Sequence, residues 1–96
     1  MTEHRSGDFI WDLEKEADNL EKHGVDFATA AKVFEDSNRV ISIDEMHSDH
    51  EERHFCVGKV HGRVLTVRFT YREGLIRIYG AGYWRKGRER YEQKAA

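Results

Sequence analysis

The sequence contains no proline and a single cysteine, Cys56, and each scarcity limits what the chain can be. One cysteine cannot form an intrachain disulfide, which fits a protein of a reducing compartment. No linker-like stretch or repeat is present, so we predict one domain over residues 1–96. No apolar run approaches the roughly 20 residues that span a bilayer, and the N-terminus has no hydrophobic signal core. We therefore expect a cytoplasmic protein without a membrane partner.

Charge is abundant but unevenly placed along the chain. Charged residues make up 35% of the sequence and the mean hydropathy is −0.81, while 39% hydrophobic content still provides one modest core. Residues 1–52 carry a net charge of −10 and residues 53–96 a net charge of +8. Folding can let the two halves neutralise each other, or it can leave a local basic surface that attracts an anionic polymer such as RNA.

Two short helices are predicted in the N-terminal half, after a short apolar stretch at 9–11 that suits an edge strand. Asp12 can accept hydrogen bonds at the start of the first helix, and Gly24 can end it in the left-handed conformation. The stripe predicted to face the core consists of Leu13, Ala17 and Leu20. Asp26 can cap a second helix, whose apolar face extends to Phe34.

The second half of the chain has the period of β-strands. Residues 39–43 are rich in β-branched side chains, and residues 53–60, 63–71 and 75–81 are separated by two short turns that contain glycine. We predict an antiparallel meander of three strands with 39–43 as a fourth. With two N-terminal helices packed on this sheet and a short C-terminal helix, the predicted fold class is α+β.

Alternation along the strands assigns side chains to the two faces of this sheet. The face predicted to meet the helices carries Phe55, Val57, Leu65, Val67, Phe69, Ile76 and Ile78. The opposite face then carries His54, Cys56, Thr66, Arg68, Thr70, Arg77 and Tyr79. We expect this second face to be polar, basic and open, since helices cover only one side.

Three groups of residues can carry chemistry. Arg68 and Arg77 on the polar sheet face suit a phosphodiester, because the planar guanidinium matches phosphate geometry. A polar loop offers potential metal ligands, although their spacing matches no closed zinc pattern; they are His47, His50 and His54 with Asp49 and Glu51. The stretch YWRKGRER at 83–90 interleaves rings with cations, which suits single-stranded nucleic acid or an acidic partner protein.

Lys22 and His23 stand side by side immediately before Gly24. Cations in the last turn suit the negative end of the helix dipole, so both residues can simply belong to a helix end. Histidine is also a proton carrier near neutral pH, so the pair can belong to an active site. The two interpretations are compatible and both remain open at this point.

The order of these residues resembles the BrnT family of toxins. FIWDLEKEADNLEKHGVDFATAAKVFED, residues 9–36, resembles the opening of its members. HSDHEERHFCVGKVHGRVLTVRFTYREGLIRIYGA, residues 47–81, resembles their middle part. The likeness covers roughly residues 9–91, in order and with matching gaps. It implies a RelE-like fold in which two helices pack against an antiparallel sheet.

The resemblance also implies a function. Such proteins are toxins of type II toxin–antitoxin pairs, and they inhibit translation and growth as metal-independent endoribonucleases that need no cofactor. The RNA supplies its own 2′-hydroxyl as nucleophile, and the protein supplies a base, an acid and a cation. A BrnA-like antitoxin neutralises the toxin and binds DNA, so that DNA is only an indirect partner.

By this resemblance the catalytic candidates are Lys22, His23, Glu52, Arg53, Arg72 and Arg77. The candidates for binding RNA are Arg68, Tyr79, Arg85, Lys86 and Arg88. Many relatives carry Ser-Ala-Arg where this chain has Gly80-Ala81-Gly82, so a nearby cation of the tail must replace that arginine, or activity is weak. The alternative is an inactive module of the same fold that binds a partner protein or nucleic acid.

Overall fold

The computed structural model describes residues 2–95, with the backbone alone for Ala95. The elements in chain order are β1 (Glu3–Ser6), β2 (Phe9–Asp12), α1 (Leu13–His23), α2 (Phe27–Ala31), β3 (Val40–Ile43), β4 (Arg53–Val60), β5 (Arg63–Arg72), β6 (Leu75–Gly82) and α3 (Arg85–Ala95). Two 3-10 turns cover Lys32–Glu35 and Glu45–His47. The α+β class and the C-terminal helix are confirmed, whereas the sheet is larger than predicted.

The strands form one six-stranded sheet in the order β1-β2-β6-β5-β4-β3. β2 runs parallel to β6, and all other neighbours are antiparallel. The expected antiparallel sheet of three to four strands is therefore wrong in its count and in being purely antiparallel. β1 has the sequence EHRS and is exposed at all four positions, so no apolar alternation marks it as a strand.

The two turns of the β4–β5–β6 meander are confirmed. His61 and Gly62 have φ angles of 51° and 81°, and Glu73 and Gly74 have φ angles of 54° and 78°. Two consecutive residues with positive φ form the hairpin turn whose twist matches that of the flanking strands. Glycine at the second position of each turn adopts this conformation without a steric cost.

Both ends of α1 are also as predicted. The Asp12 carboxylate accepts a hydrogen bond of 2.8 Å from the backbone N–H of Glu14. Gly24 has a φ angle of 69° and donates its N–H to the carbonyl of Leu20. The chain then turns sharply, and the Asp26 carboxylate caps α2.

The prediction for the buried face of α1 is wrong. The side chains of the supposed apolar stripe are exposed, and they are Leu13, Ala17 and Leu20. The helix instead turns polar side chains toward the protein. The Glu16 carboxylate accepts hydrogen bonds from the Trp11 indole and the Phe27 backbone N–H, at 3.1 and 2.8 Å. A polar docking face of this kind carries no apolar periodicity for sequence analysis to detect.

Asn19, the buried residue of α1, fixes the helix beside the sheet. Its amide nitrogen donates to the carbonyls of Val25 and Ala81, and its amide oxygen accepts from the Ala81 N–H. β2 pairs with β6 only at Ile76 and Arg77. Asn19 therefore takes the place of a neighbouring strand further along β6, and it brings the C-terminal end of α1 to that edge.

The hydrophobic core lies on the face of the sheet that carries Val67 and Phe69, which we call the inner face. α2 and the following 3-10 turn cover it. Its buried members are Trp11, Val25, Phe27, Ala30, Val33, Cys56, Val60, Leu65, Val67, Phe69, Ile78 and Ala81. Ile76 packs against this cluster from the edge, so the predicted inward residues of β5 and β6 are confirmed.

The face assignment within β4 is reversed relative to the prediction. Cys56 pairs with Val67 and His54 pairs with Phe69, so these β4 side chains lie on the inner face. His54 stacks on Phe69 with ring centroids 5.3 Å apart, and burial raises the pKa of the Cys56 thiol to about 12. The opposite side, which we call the outer face, carries the β4 residues predicted for the core, Phe55 and Val57.

α3 packs on the outer face, which corrects the expectation of an open second face. Gly87 lies directly against Thr66 of β5. Tyr91 is 7% exposed, and its hydroxyl donates to Asp36 Oδ2 at 2.6 Å. The basic tail therefore contributes to the buried interior through Gly87 and Tyr91, and α3 covers the outer face around Thr66.

Candidate active site

A cleft of about 350 Å³ opens where the C-terminal turn of α1 meets the outer face. We call it the basic cleft, and its lining residues are Lys15, Asp18, Asn19, Lys22, His23, Arg68, Tyr79, Gly80 and Trp84. Four of the residues predicted for catalysis or RNA binding line it together, namely Lys22, His23, Arg68 and Tyr79. They come from α1, β5 and β6, and the Asn19 contact to β6 explains why these elements meet here.

Lys22 and His23 occupy the last turn of α1, and both side chains are exposed. Their predicted position at a capped helix end is confirmed by the left-handed Gly24 that follows them. Their position on the wall of the basic cleft leaves them accessible to a ligand as well. At this position Lys22 and His23 can interact with the C-terminal end of the α1 dipole and can also contact a ligand in the basic cleft.

Trp84 is one of the residues of this site that sequence analysis did not select; the others are Lys15, Asp18, Asn19 and Gly80. The Trp84 ring meets His23 edge-on with centroids 5.3 Å apart, and the Arg68 guanidinium carbon lies 4.9 Å from its ring centroid. A β-carbon at Gly82 would lie 2.6 Å from Trp84 Cε2, so only glycine lets the indole lie there. Its place among the cations of the tail was the one sequence signal for it.

Tyr79 reaches the cleft because of an irregularity in β6. Arg68 pairs with Gly80 and Phe69 with Ile78, so Tyr79 is the extra residue of a β-bulge. The Arg53 guanidinium carbon lies 5.1 Å from the centre of the tyrosine ring. Burial raises the pKa of the Tyr79 hydroxyl while the Arg53 cation opposes this shift, so the group is neutral at physiological pH. Tyr79 lines the cleft, whereas its hydroxyl oxygen is buried.

The remaining catalytic candidates do not line the basic cleft. Arg77 is 7% exposed, and its guanidinium pairs with Glu3 at 3.1 Å. Arg72 pairs with Glu51 at 3.0 Å, and Glu52 lies 3.3 Å from the imidazole of His54. The resemblance implied these residues as one set, whereas the fold places Arg77 beside Glu3 of β1 and places Arg72 beside the loop residue Glu51.

The predicted cations of α3 diverge around its first turn. Arg85 is exposed and lies 3.5 Å from Glu89 one turn later. Lys86 lines a pocket that adjoins the basic cleft, and Arg88 lines a separate space of about 400 Å³ with Tyr83 and Trp84. Lys86 and Arg88 thus lie in two different pockets that Trp84 also lines.

The loop histidines do not gather into a ligand set. Nδ1 of His47 lies 2.8 Å from Asp44 Oδ2, and His54 is stacked in the core. Within residues 2–95, no three His, Cys, Asp or Glu side chains are grouped so that they could hold a metal ion. In the same part of the chain, no helix is long and apolar enough to cross a membrane.

A histidine, two lysines and an arginine around one cleft of a small α+β domain define a candidate phosphodiester-binding site. The sequence model of the family described as "Ribonuclease toxin, BrnT, of type II toxin-antitoxin system" matches residues 11–87. Because the match spans most of the chain, the protein belongs to this family, and the resemblance stated above is confirmed. A search of curated proteins finds no significant match.

Proposed function

We propose that the protein is an endoribonuclease toxin that cuts RNA in the basic cleft. The observation that carries the proposal is the convergence of Lys22, His23 and Arg68 on this cleft. Membership of a family of ribonuclease toxins supplies the substrate class. Lys15, Lys22 and Arg68 are exposed on the walls of the cleft and outnumber its one carboxylate, Asp18, so the cleft suits the backbone of a single strand.

In the proposed reaction the RNA attacks itself. Neutral His23 accepts the proton of the 2′-hydroxyl, and the resulting oxygen attacks the adjacent phosphorus. The P–O5′ bond breaks, leaving a 2′,3′-cyclic phosphate and a 5′-hydroxyl. Arg68 stabilises the charge that develops on the phosphate oxygens, and the Lys22 ammonium donates a proton to the departing 5′ oxygen. Every step uses groups of this chain.

The proposal also accounts for the Gly80-Ala81-Gly82 segment, where the arginine of many relatives is missing. The indole of Trp84 fills the space beside Gly82, in the segment where many relatives carry an arginine. Arg68 contacts the same indole and provides a guanidinium at the cleft. We assign to Arg68 the phosphate-binding role that the missing arginine would have had.

The cations around Trp84 supply the proposed path of the RNA beyond the reacting phosphate. Arg85, Lys86 and Arg88 project from the first turn of α3, and Arg53 lies beside the ring of Tyr79. Phosphates contact such side chains with little dependence on sequence. Glu52, Arg72 and Arg77 have no part in this mechanism, because they lie outside the cleft.

A protein antitoxin is the proposed partner, as the type II family implies. We propose that it is BrnA-like and that it supplies the DNA-binding part of the complex. The toxin then meets DNA only through this partner.

The test is cleavage of RNA by purified protein freed from any antitoxin. We expect wild type to release fragments with 2′,3′-cyclic phosphate ends. His23→Ala should lower the rate about 100-fold or more, as should Lys22→Ala. Lys32→Ala changes an exposed lysine outside the cleft and is the matched control.

Circular dichroism of each variant separates loss of chemistry from loss of fold. Full activity in His23→Ala would move the chemistry away from the basic cleft. If wild type neither cuts RNA nor slows growth when expressed, the inactive binding module becomes the better description of this chain.

A further inference from the structure

A second pocket adjoins the basic cleft on the outer face. It has a volume of about 220 Å³ and lies between the first turns of α3 and strands β4 and β5, so we call it the α3 pocket. Phe55, Val57 and the backbone of Gly87 provide its apolar lining. Three exposed cations also line it, and they are Arg68, Lys86 and Arg90. The Arg90 guanidinium additionally donates to Ser42 Oγ at 2.7 Å, which holds that cation in place.

The α3 pocket and the basic cleft share two of their lining residues. Arg68 and Trp84 line both, so they form the boundary between the two spaces. A ligand whose anionic group binds Arg68 on the cleft side can therefore place an adjoining group in the α3 pocket. Because the two spaces share a boundary, a ligand that occupies both needs an anionic group and an apolar group separated by only a few bonds.

The volume and the lining of the α3 pocket limit which chemical groups can bind there. Its volume is below the roughly 300–1,000 Å³ of pockets that hold drug-sized molecules, so it suits one small ring system. Aromatic walls beside cations favour a flat ring that is attached to an anion. No acidic side chain lines the pocket, so the anion meets no repulsion there. A nucleotide unit combines such a ring with phosphates on both sides.

We infer that the α3 pocket is a nucleobase subsite of the RNA substrate. It takes the base next to the phosphate held by Arg68, against the rings of Phe55 and Trp84, while Lys86 meets the following phosphate. This inference rests on the proposed function and adds a place for one base beside the reacting phosphate, with Arg68 at the boundary between the two. Phe55 becomes a substrate-binding residue outside the reacting centre, and its truncation should weaken binding without removing any proposed catalytic group.

Binding of an oligonucleotide that cannot be cut tests the subsite. We would use short RNA oligonucleotides in which 2′-fluoro groups replace the attacking 2′-hydroxyls, each with one abasic site at successive positions, and measure binding by fluorescence anisotropy. For wild type, the abasic site at one position should weaken binding about fivefold or more, the loss expected for one stacked base.

Phe55→Ala should bind the intact oligonucleotide as weakly as wild type binds that abasic one. In this variant the abasic site at the same position should then have no further effect, because the base has lost its platform. Phe55→Leu lacks the ring but keeps a large apolar side chain, so it disturbs the fold less than truncation to alanine. It should show the same loss of binding. Tyr71→Ala removes an exposed ring on the inner face and should behave as wild type.

Two results would overturn the inference: equal affinity of wild type for all abasic oligonucleotides, or an abasic effect that persists in full in Phe55→Ala and Phe55→Leu. The RNA cleavage assay is read separately. If cleavage depends on His23 but oligonucleotide binding is the same with and without the Phe55 ring, the subsite is contradicted and the proposed function is still supported. Positional binding that depends on Phe55, without any cleavage, would support the subsite in an inactive binding module.

Discussion

The imidazole of His23 meets the indole of Trp84 edge-on, with ring centroids 5.3 Å apart and ring planes at 80°. His23 ends α1, whereas Trp84 lies between β6 and α3, so the contact joins the helical N-terminal part to the C-terminal helix. The same indole lies against the guanidinium of Arg68. Trp84 therefore sets the distance between the proposed base and the proposed phosphate-binding cation.

The first prediction concerns this positioning role of Trp84. Trp84→Ala should lower kcat for RNA cleavage about tenfold or more, because His23 and Arg68 lose the surface that orients them. Trp84→Phe retains a ring and should recover part of the loss. Single-turnover kinetics at saturating RNA would measure the effect on the chemical step.

Tyr83→Ala removes the neighbouring ring, which contacts Arg63 outside the cleft, and provides the control. An unchanged kcat in Trp84→Ala, with only KM raised, would show that Trp84 binds substrate without positioning the catalytic groups.

Local signals in the sequence were sufficient for the features that depend on a few neighbouring residues. Asp12 and Gly24 delimit α1, and the glycine turns at 61–62 and 73–74 set the meander. Each of these helix ends and turns depends on one side chain or on one backbone conformation. Each can therefore be predicted without knowledge of the rest of the fold. Placing Lys22 and His23 at a helix end followed directly from such a signal.

The features that sequence analysis missed depend on contacts between distant segments. β4 has a buried apolar side chain on each face, Cys56 on one and Val57 on the other, so its alternation does not show which face meets the core. The docking of α1 through Asn19 uses hydrogen bonds, which leave no apolar pattern. The position of Trp84 depends on the absence of a side chain at Gly82, whose place the indole occupies.

The second prediction concerns Asn19, whose side-chain amide makes three hydrogen bonds to backbone groups of Val25 and Ala81. Asn19→Ala should lower the free energy of unfolding by roughly 2 kcal/mol or more, because buried backbone groups lose their partners. Urea unfolding monitored by circular dichroism would measure it. Glu21→Ala, at an exposed position of the same helix, should change stability far less. Equal stability of the two variants would contradict the strand-replacing role of Asn19.

The third prediction concerns the contact between α3 and the sheet at Gly87. A β-carbon there would overlap Thr66 Oγ1 and would lie 3.2 Å from Thr66 Cβ. Gly87→Ala should therefore lower the free energy of unfolding by about 1–3 kcal/mol, even though alanine is the better helix former. Lys86→Ala in the same turn is the control for helix propensity. If Gly87→Ala stabilises the protein, α3 does not pack as closely on Thr66 as the structure shows.

The fourth prediction is a pH dependence centred on Asp36. Its carboxylate accepts hydrogen bonds from the backbone N–H groups of Lys59 and Asn38 and from the Tyr91 hydroxyl. The bond from Lys59, followed by that from Tyr91, lowers the pKa of Asp36 below its usual value of 3.8. A carboxyl with a depressed folded-state pKa contributes stability above its unfolded-state value and loses it as the pH falls through the folded-state value.

Asp36→Asn should therefore be less stable than wild type at neutral pH, and the difference should shrink once the pH falls below 3.8 toward the lowered pKa. Urea midpoints of both proteins, measured at neutral pH and at about pH 2, would show this convergence. Asp49→Asn changes an exposed carboxylate in the loop after β3 and should show no such dependence. A stability difference that stays constant over this range would mean that the shape of the Asp36 side chain, and not its charge, joins α3 to the sheet.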